Sequence, residues 1–441
     1  MPKLKRLLRF WEQSPSIAFA ARFRLKYRHR RTGLDKAEGG EKMPGKNFRK
    51  YCELKARIAP FELKTDAETV KTVSIINVLL ERTLNVDAGA STEGRFGMSP
   101  GQTLENYIGR AEKYIAALER GKYPLKGKAT EPGKALVDHS FIVKDGWVHL
   151  FYNRDFVGYE WDTMPVNTVG HAVTDDLVNW TWEAPVVSVD PSKFENYQVW
   201  SPGVAEKDGR YYMYYTGVNY NVAQAICVAV SDDLYHWEQP EDGAVNPVVK
   251  PGAWCPWDES RWSDCRDSMV FVDNDGTAYM YYCTSKYVDV PDGAVEGDWT
   301  GRGNENRPVR TAVGIASSND MIHWRDRGAY TFDICDITLE SPFVLRRGNK
   351  YYLFYTNCGH GTAYAVSDDP ISGWKSLGML MPWKIPPECP ANVPSCAEVF
   401  EFKGAWYISS CLREPGCEQY LELFRLTWNE DGTVTVGERI E

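Results

Sequence analysis

The sequence predicts an all-β fold, a five-bladed β-propeller that follows an N-terminal helical extension. A turn glycine followed by a Tyr/Val/Trp-rich strand occurs five times, at intervals of 63, 67, 72 and 56 residues. A second signature, a strand that runs through a Ser/Thr-x-Asp turn to a tryptophan, follows four of these glycines. No long helical pattern appears after about residue 129. The five turn glycines are Gly146, Gly209, Gly276, Gly348 and Gly404.

Each repeat is predicted to be one four-stranded blade. The aromatic strands form a hairpin, a third strand follows, and the polar turn leads to an outer strand that contains the tryptophan. Residues 129–441 are therefore predicted to form the propeller. A β-sandwich is the competing all-β fold, but a sandwich gives no reason for one signature to recur at this spacing.

Residues 61–128 are predicted to form a small helical region. Apolar residues recur at helical spacing over 70–84 and again over 104–118. A Thr-Asp pair precedes the first stripe and Gly121 follows the second, and both are common helix boundary signals.

Residues 1–60 are predicted to be a basic arm. They contain 17 Lys and Arg against 5 Asp and Glu, although the whole chain has a net charge of −9. The remainder is strongly acidic, which argues against nucleic acid as a partner. We expect the arm to dock on this acidic body or to join a second subunit in a homo-oligomer. Helical spacing at its start leaves contact with a membrane surface as an alternative.

The chain has no predicted transmembrane segment, because no run of about 18 apolar residues occurs. The apolar stretch at 17–21 is too short for a secretion signal. Eleven cysteines are scattered without a CxxC pair or a His/Cys ligand spacing. These features predict a cytoplasmic location with free thiols, no metal site and no cofactor, and leave open a single ion in the central channel.

Carboxylates recur at the start of the innermost strands. Alignment of the turn glycines gives one residue per blade at this position, Asp138, Ser201, Asp267, Glu340 and Cys396, and three of the five are acids. Equivalent positions of a propeller converge on the central channel, so three acids are expected to face each other. Clustered carboxylates raise each other's pKa, which provides one acid and one base. A lone Asp here would be a turn residue, but three at one repeat position predict glycoside hydrolysis.

Five residues near this end of the channel are candidates for substrate binding. Trp200 is predicted to stack on a sugar ring or, equally well, to belong to the core. Ser201 and Arg266 are candidates for binding hydroxyls, with an ion pair as the alternative for the arginine. His139 and His360 are further candidates, although each is more typical of a loop histidine with satisfied hydrogen bonds.

The repeats also resemble a known group of proteins. His-Leu-Phe-Tyr at 149–152, followed by the signature at 170–180, is similar to the fructosidases of glycoside hydrolase family 32. Arg-Asp at 266–267 resembles the Arg-Asp-Pro motif of that family. Glu-Ser-Pro at 340–342 is nearer to family 43, whose members act on arabinose and xylose. Over 135–410 the chain therefore resembles the five-bladed propeller glycosidases.

The resemblance implies a role for each carboxylate. Asp138 is the nucleophile if the chain is like family 32, or the base that activates water if it is like family 43. Asp267 holds the sugar and sets the pKa of the acid, and Glu340 is the general acid. The implied substrate is an oligosaccharide or glycoside with a small or terminal furanoside, such as a fructoside or arabinofuranoside. The alternatives are a non-catalytic carbohydrate-binding propeller, or a glycosyl transferase or phosphorylase that uses the same site.

Overall fold

A computed structural model gives the fold for most of the chain. The structure describes residues 46–87, 100–122, 128–156, 166–240, 246–295, 307–332, 334, 338–358, 360–382, 394–413 and 419–441. The predictions for the start of the basic arm and for the stretch at 17–21 lie outside these residues.

Five antiparallel sheets follow each other along the chain, and the predicted five-bladed propeller is confirmed. Blade one comprises β1 (Lys134–Lys144), β2 (Trp147–Phe156), β3 (Thr168–Thr174), β4 (Thr181–Trp182) and β5 (Val187–Ser188). Blade two comprises β6 (Gln198–Lys207), β7 (Arg210–Val218) and β8 (Gln224–Ser231). Blade three comprises β9 (Cys265–Val272), β10 (Ala278–Tyr287), β11 (Val309–Ser318) and β12 (Arg325–Tyr330).

The last two blades are regular four-stranded sheets. Blade four comprises β13 (Leu339–Arg347), β14 (Lys350–Asn357), β15 (Gly361–Ser367) and β16 (Lys375–Pro382). Blade five comprises β17 (Val399–Phe402), β18 (Ala405–Arg413), β19 (Gln419–Trp428) and β20 (Val434–Arg439). In all five blades the first strand is one edge of the sheet and pairs with the second across the turn glycine.

Blade two differs from the prediction of four strands. Its described outer edge is held by two single-residue bridges, Val230 with Glu238 and Ile226 with Val249. The chain that follows Trp237 is interrupted by three prolines within 240–251, and proline has no N–H to donate to a ladder. In the described part of blade two, these two bridges therefore take the place of a fourth strand.

The core consists of apolar clusters at the junctions between neighbouring blades. Five such clusters lie between neighbouring blades, one at each junction of the ring, and the last of them joins blade five to blade one. Buried tyrosines from the middle strands, such as Tyr214, Tyr282 and Tyr355, fill these junctions. Each blade thus buries apolar surface against both neighbours, and burial of that surface favours the closed ring.

The Ser/Thr-x-Asp signature is a structural turn. In blade two, Ser231 Oγ accepts a hydrogen bond from Leu234 N at 2.8 Å, and Asp233 Oδ1 accepts two from the next backbone amides. Leu234 has a φ of 72°, in the left-handed region. The side-chain bonds stabilise this backbone, which explains why the signature recurs.

The helical region contains three described helices, α1 (Lys46–Ile58), α2 (Ala67–Asp87) and α3 (Pro100–Glu119). The two predicted helices are confirmed, and Asp66 caps the first of them by accepting a bond from Thr69 N at 2.9 Å. Helix α1 lies inside the segment assigned to the basic arm. None of the described helices has the length and apolar content needed to span a membrane.

The helices pack on blade five through one tyrosine. Tyr420 of β19 belongs to the same apolar cluster as the buried faces of the helices. The Lys128 ammonium lies 4.2 Å from the centre of its ring and 3.0 Å from its hydroxyl oxygen. Ala129 then bridges Leu421, so the segment before blade one covers part of the blade-five edge.

Two buried histidines occupy the junction of blades one and two. The Nδ1 atom of His149 lies 3.0 Å from Nε2 of His171, and the ring of His171 stacks on Phe151. Burial lowers the pKa of His149 to about 4, helped by Lys144, and lowers the pKa of His171 to about 3, helped by His149. Both imidazoles are therefore neutral in the folded protein near neutral pH.

We expect stability to fall as the pH drops from about 6.5 towards 3. Between about pH 6.5 and 4 the unfolded chain protonates both histidines and the folded chain neither, and between about 4 and 3 the difference remains only for His171. Each proton bound only by the unfolded chain costs about 1.4 kcal/mol per pH unit. The free energy of unfolding, measured by denaturant titration between pH 7 and 4, should decline less steeply in His171→Phe. The exposed His236→Gln serves as the control. Equal slopes for His171→Phe and the parent would contradict this account.

Candidate active site

Five residues, one from each blade, form a closed hydrogen-bonded ring in the central channel, which we call the channel ring: Asp138, Ser201, Asp267, Ser341 and Cys396. Four of them have φ between 46° and 56°, in the left-handed region. The pairing of the innermost strand with its neighbour shifts register at the ring residue in blades one to four. Each strand bulges there, and the bulge directs one side chain into the channel.

Glu340 lies one residue before the channel ring. It pairs with Thr356 in blade four, as Arg266 pairs with Cys283 in blade three, and Ser341 takes the position equivalent to Asp267. The register corrects the alignment made from the turn glycines, which treats Glu340 and Asp267 as equivalent. Glu340 nevertheless reaches the same end of the channel.

Side chains of neighbouring blades fix the backbone of the ring. Ser201 N donates to Asn153 Oδ1 at 2.6 Å, where Asn153 belongs to blade one. Asp267 N and Cys396 N donate in the same way to threonine hydroxyls of the preceding blades, at 3.1 and 2.9 Å. These bonds pair amides that the bulge removes from the strand ladder.

Ser201 connects the two ring carboxylates. Its Oγ lies 2.8 Å from Asp138 Oδ2 and 2.8 Å from Asp267 Oδ1. A hydroxyl has one hydrogen, so it donates to only one of the two carboxyl groups. The second contact is favourable when the other carboxyl group is protonated and donates to Ser201.

Asp267 is the carboxyl group suited to carry that proton. Its side chain is 9% exposed, and burial raises its pKa to about 7, with the charge of Asp138 acting in the same direction. Arg266 opposes the shift, with Nε at 3.9 Å from Oδ2. Because ionisation of Asp267 would leave a second charge in the ring, the protonated form is favoured below neutral pH.

Asp138 accepts hydrogen bonds on both oxygens. Cys396 Sγ donates to Oδ1 at 2.7 Å, and Asn153 Nδ2 joins Ser201 at Oδ2, at 3.1 Å. The pKa of the Cys396 thiol is raised well above its usual range by its hydrogen bond with Cys411, by burial and by the Asp138 charge. Cys396 therefore remains a protonated donor that orients Asp138.

Glu340 is held by an arginine and a thiol. Arg266 Nη2 donates to Oε1 at 2.7 Å, and Cys358 Sγ donates to Oε2 at 3.1 Å. Arg266 also contacts Asp264 at 2.6 Å, so it lies between two acids. The Glu340 side chain is 35% exposed, far more than Asp267, and is therefore the more accessible of the two to a ligand above the ring.

The channel is narrow at the ring. The cavity lined by the ring side chains and the residues that follow them has a volume of about 30 Å³, which is room for roughly one water molecule. This cavity therefore has no room for a sugar ring. Among the described residues, no group of three or more His, Cys, Asp or Glu side chains is arranged to hold a metal ion.

The predicted substrate-binding residues have different surroundings. His139 is buried, and its ring nitrogens contact Ser409 Oγ at 2.7 Å and Cys411 Sγ at 3.2 Å, which favours the alternative of a histidine with satisfied hydrogen bonds. Ser201 bridges two acids, and Arg266 forms the ion pair that was the alternative for it.

The two remaining candidates, Trp200 and His360, are at least partly exposed to solvent. Trp200 is half-buried, and its indole N–H donates to Gln198 Oε1 at 3.0 Å. His360 is exposed in the loop between β14 and β15, at the end of blade four that carries Glu340. Their binding of sugar stays a prediction.

Two contributors were missed in the sequence. Asn153 and Cys358 contact the carboxylates from the ends of the second strands, where sequence repeats are weaker than at the turn glycines. Asn153 had a signal, because a fully polar amide ends the apolar Phe-Tyr run of β2. Cys358 had none, since a thiol there is equally typical of a core position.

The chain is similar to proteins that are named as glycosidases. A "Xylosidase/arabinosidase" from Bacteroides ovatus is 24% identical over 344 residues, 69% of this chain and 95% of the relative. "Acid beta-fructofuranosidase 1, vacuolar" from a Rosa hybrid cultivar is 33% identical over 112 residues, 24% of this chain and 18% of the relative.

A solved family 43 β-xylosidase/α-arabinofuranosidase from a compost microbial metagenome has a similar fold, with a TM-score of 0.51 and 22% identity. The match covers 69% of this chain and 95% of that one. The sequence also matches the family described as "Glycosyl hydrolases family 43" over residues 150–434. The predicted glycoside hydrolase class is confirmed, and the chain belongs to glycosyl hydrolase family 43.

Proposed function

We propose that this glycoside hydrolase removes small, terminal furanoside-type sugars, with Asp138 as base, Asp267 as a protonated positioning group and Glu340 as general acid. The observation that carries the proposal is the Asp138–Ser201–Asp267 bridge, beside a more exposed Glu340. It combines one ionised and one protonated carboxyl group with an acid close to solvent.

The proton transfers follow from these positions. Glu340 donates its proton to the glycosidic oxygen while the bond from that oxygen to the anomeric carbon breaks. Asp138 takes a proton from the water molecule whose oxygen forms the new bond to the anomeric carbon. Hydrogen bonds on both Asp138 oxygens hold the base in one orientation, which lowers the entropic cost of the attack.

Asp267 is suited to bind rather than to react. As a protonated group it adds no charge beside Asp138, and it presents a donor and an acceptor to a sugar hydroxyl. Arg266 connects it to the acid, because the same guanidinium contacts Asp267 and Glu340. A change in charge at Asp267 therefore acts on Glu340 through Arg266.

Two features support a small terminal furanoside as substrate. The cavity at the channel ring has a volume of only about 30 Å³, so a polysaccharide chain cannot pass through the channel there. The relatives include proteins named for xylose, arabinose and fructofuranoside substrates, and the last two are sugars that occur as furanosides.

Location and assembly are proposed from the cysteines and from the charge of the N-terminal arm. All eight cysteines among the described residues have free thiols, which supports a reducing, cytoplasmic location. We also propose that the basic arm joins two subunits in a homo-oligomer. Light scattering of the full chain and of a chain that begins at residue 46 tests the second proposal.

The substrate is tested with a panel of aryl fructofuranosides, arabinofuranosides, xylosides and galactosides. We expect the highest kcat/KM on one of the two furanosides. Proton NMR of the first sugar formed gives the stereochemical course, and base-activated water predicts inversion. A preference for galactosides, or turnover that needs phosphate, would contradict the proposal.

We expect Glu340→Gln to lower kcat by about 10²–10⁴-fold on substrates with poor leaving groups, because the amide cannot donate the acid's proton. The loss should be smaller for aryl glycosides whose leaving group needs no proton. The melting temperature should be nearly unchanged, since glutamine keeps an oxygen for Arg266. Glu401→Gln, an exposed glutamate on the innermost strand of blade five, is the control. An equal loss for good and poor leaving groups would refute the acid role.

We expect the pH profile of kcat/KM to contain an ionisation near 7 that belongs to Asp267. The Ser201 hydroxyl lowers the pKa of Asp267, so Ser201→Ala should move this ionisation to higher pH. Ser201→Cys keeps a hydrogen-bond donor without a β-branched side chain, which the left-handed φ of 46° disfavours, and should move the ionisation less. Profiles measured from pH 4 to 10 check this, and an ionisation that does not move in Ser201→Ala argues against the bridge.

We expect Cys396→Ala to lower kcat about tenfold or more, because Asp138 loses the donor on Oδ1 and a hydrogen bond to a charged group is worth about 1.5–3 kcal/mol. Cys396→Ser should recover most of the loss, since a hydroxyl replaces the thiol donor. Cys52→Ala in helix α1 is the matched thiol control. Similar kcat values for the alanine and serine variants of Cys396 would show that the donor is unimportant.

A further inference from the structure

A second cavity, of about 610 Å³, lies on blade two, and we call it the blade-two cavity. Its volume is in the range of ligand-binding pockets. It shares no lining residue with the cavity at the channel ring. The loop between β7 and β8 forms part of its wall, at the end of the blade that carries Ser201. The blade-two cavity therefore lies at the end of the propeller where the innermost strands carry the channel ring.

The loop that forms this wall is rigid. Asn219 Oδ1 accepts hydrogen bonds from Asn221 N at 2.9 Å and Ala223 N at 3.0 Å, and its Nδ2 donates to Glu259 O at 2.9 Å. Val222 is buried with a φ of 64°, a conformation that β-branched residues rarely adopt. Such strain persists only where the surroundings fix the backbone, and it is concentrated at functional sites.

The rigid loop presents a tyrosine to the cavity. Tyr220 is 57% exposed, although its backbone N–H donates to Asn196 Oδ1 at 3.0 Å. Its ring lies 5.5 Å from the ring of Tyr197, at an angle of 36°. The orientation of an exposed aromatic ring is thus already set, so a ligand that stacks on it pays little ordering entropy.

The rest of the lining is aromatic and polar, and its charges are paired. The Lys250 ammonium lies 5.4 Å from the ring centre of Phe194 and 4.9 Å from that of Trp257, which is outside the lining. Glu259 Oε2 is 3.1 Å from Lys250 Nζ, and Lys193, the second lysine of the lining, pairs with Asp190 at 3.2 Å. The side-chain amides of Asn196, Asn221 and Gln239 also line the cavity. Aromatic faces suit the C–H face of a sugar, and amides suit its hydroxyls.

We propose that the blade-two cavity is a second carbohydrate-binding site that takes a neutral polysaccharide. A glycan bound there lies on the same end of the propeller as the catalytic channel, so it raises the local concentration of chain ends. The choice of pentosan or fructan as the polymer rests on the proposed function. The presence of the site does not, because binding is measured without turnover.

The test uses the full chain carrying Glu340→Gln, which prevents hydrolysis. Affinity electrophoresis and calorimetry are run with arabinan, arabinoxylan and inulin, and with polygalacturonate as an anionic polymer. We expect binding of at least one neutral polymer, and Tyr220→Ala should weaken it at least fivefold. Tyr220→Trp should keep it, and Trp147→Ala, which removes another exposed ring at the opposite end of blade one, should leave it unchanged.

Kinetics with the parent active site distinguish the two sites. Tyr220→Ala should raise KM for the polymer at least fivefold and leave kcat/KM for the aryl glycoside within twofold. Binding of polygalacturonate alone, no binding of any polymer, or equal Kd values with and without Tyr220 would overturn the proposal. If the parent protein turns over no aryl glycoside but still binds a polymer, the proposed function fails and the second binding site stands.

Discussion

Four of the five innermost strands carry one non-glycine residue in the left-handed region of backbone conformation, and the chemistry of the channel depends on this constraint. The conformation costs roughly 1–2 kcal/mol per residue. Side chains of the preceding blades stabilise it at Ser201, Asp267 and Cys396, by binding the amides that the bulge exposes. Ring geometry and blade packing are thus coupled, because a shift between two blades would release the bulge of the second. Closure of the propeller is therefore a condition for the active-site geometry.

Asp138 and Asp267 share the hydroxyl group of Ser201, and this sharing gives the two carboxyl groups different roles. Two carboxyl groups that both contact Ser201 Oγ at 2.8 Å are stable together only with a proton between them. Burial assigns the proton to Asp267, whose pKa rises to about 7. Asp138 accepts hydrogen bonds from a thiol, a hydroxyl and an amide, which suits the base of the proposed reaction. The neutral hydrogen-bond donors of the channel ring thus give Asp138 and Asp267, which are the same residue type, different roles.

The sequence contains most of the fold and part of the site. The turn glycines and the Ser/Thr-x-Asp signature are local requirements of backbone conformation, so they recur and reveal the blades. The contacts of Ser201 and Cys396 are not local, because each joins blades that are about 60 residues or more apart in the chain. The turn glycine also takes different positions in the hairpin loops, the second loop residue in blade two and the first in blade four, so counting from the glycine placed Glu340 one residue out of register, where it was aligned with Asp267. The satisfied nitrogens of His139 depend on blade five, which folds beside blade one only when the ring closes.

Arg266 explains why the single-residue offset of Glu340 matters. A glutamate at the ring position itself would be buried beside two other acids, and its ionised form would be disfavoured as strongly as that of Asp267. One residue earlier in the strand, Glu340 is partly exposed and contacts the guanidinium at 2.7 Å. The same guanidinium is 3.9 Å from Asp267, so a change in the charge of Asp267 affects Glu340 through Arg266. The offset therefore separates a group that holds its proton from a group that is free to exchange it with a leaving group.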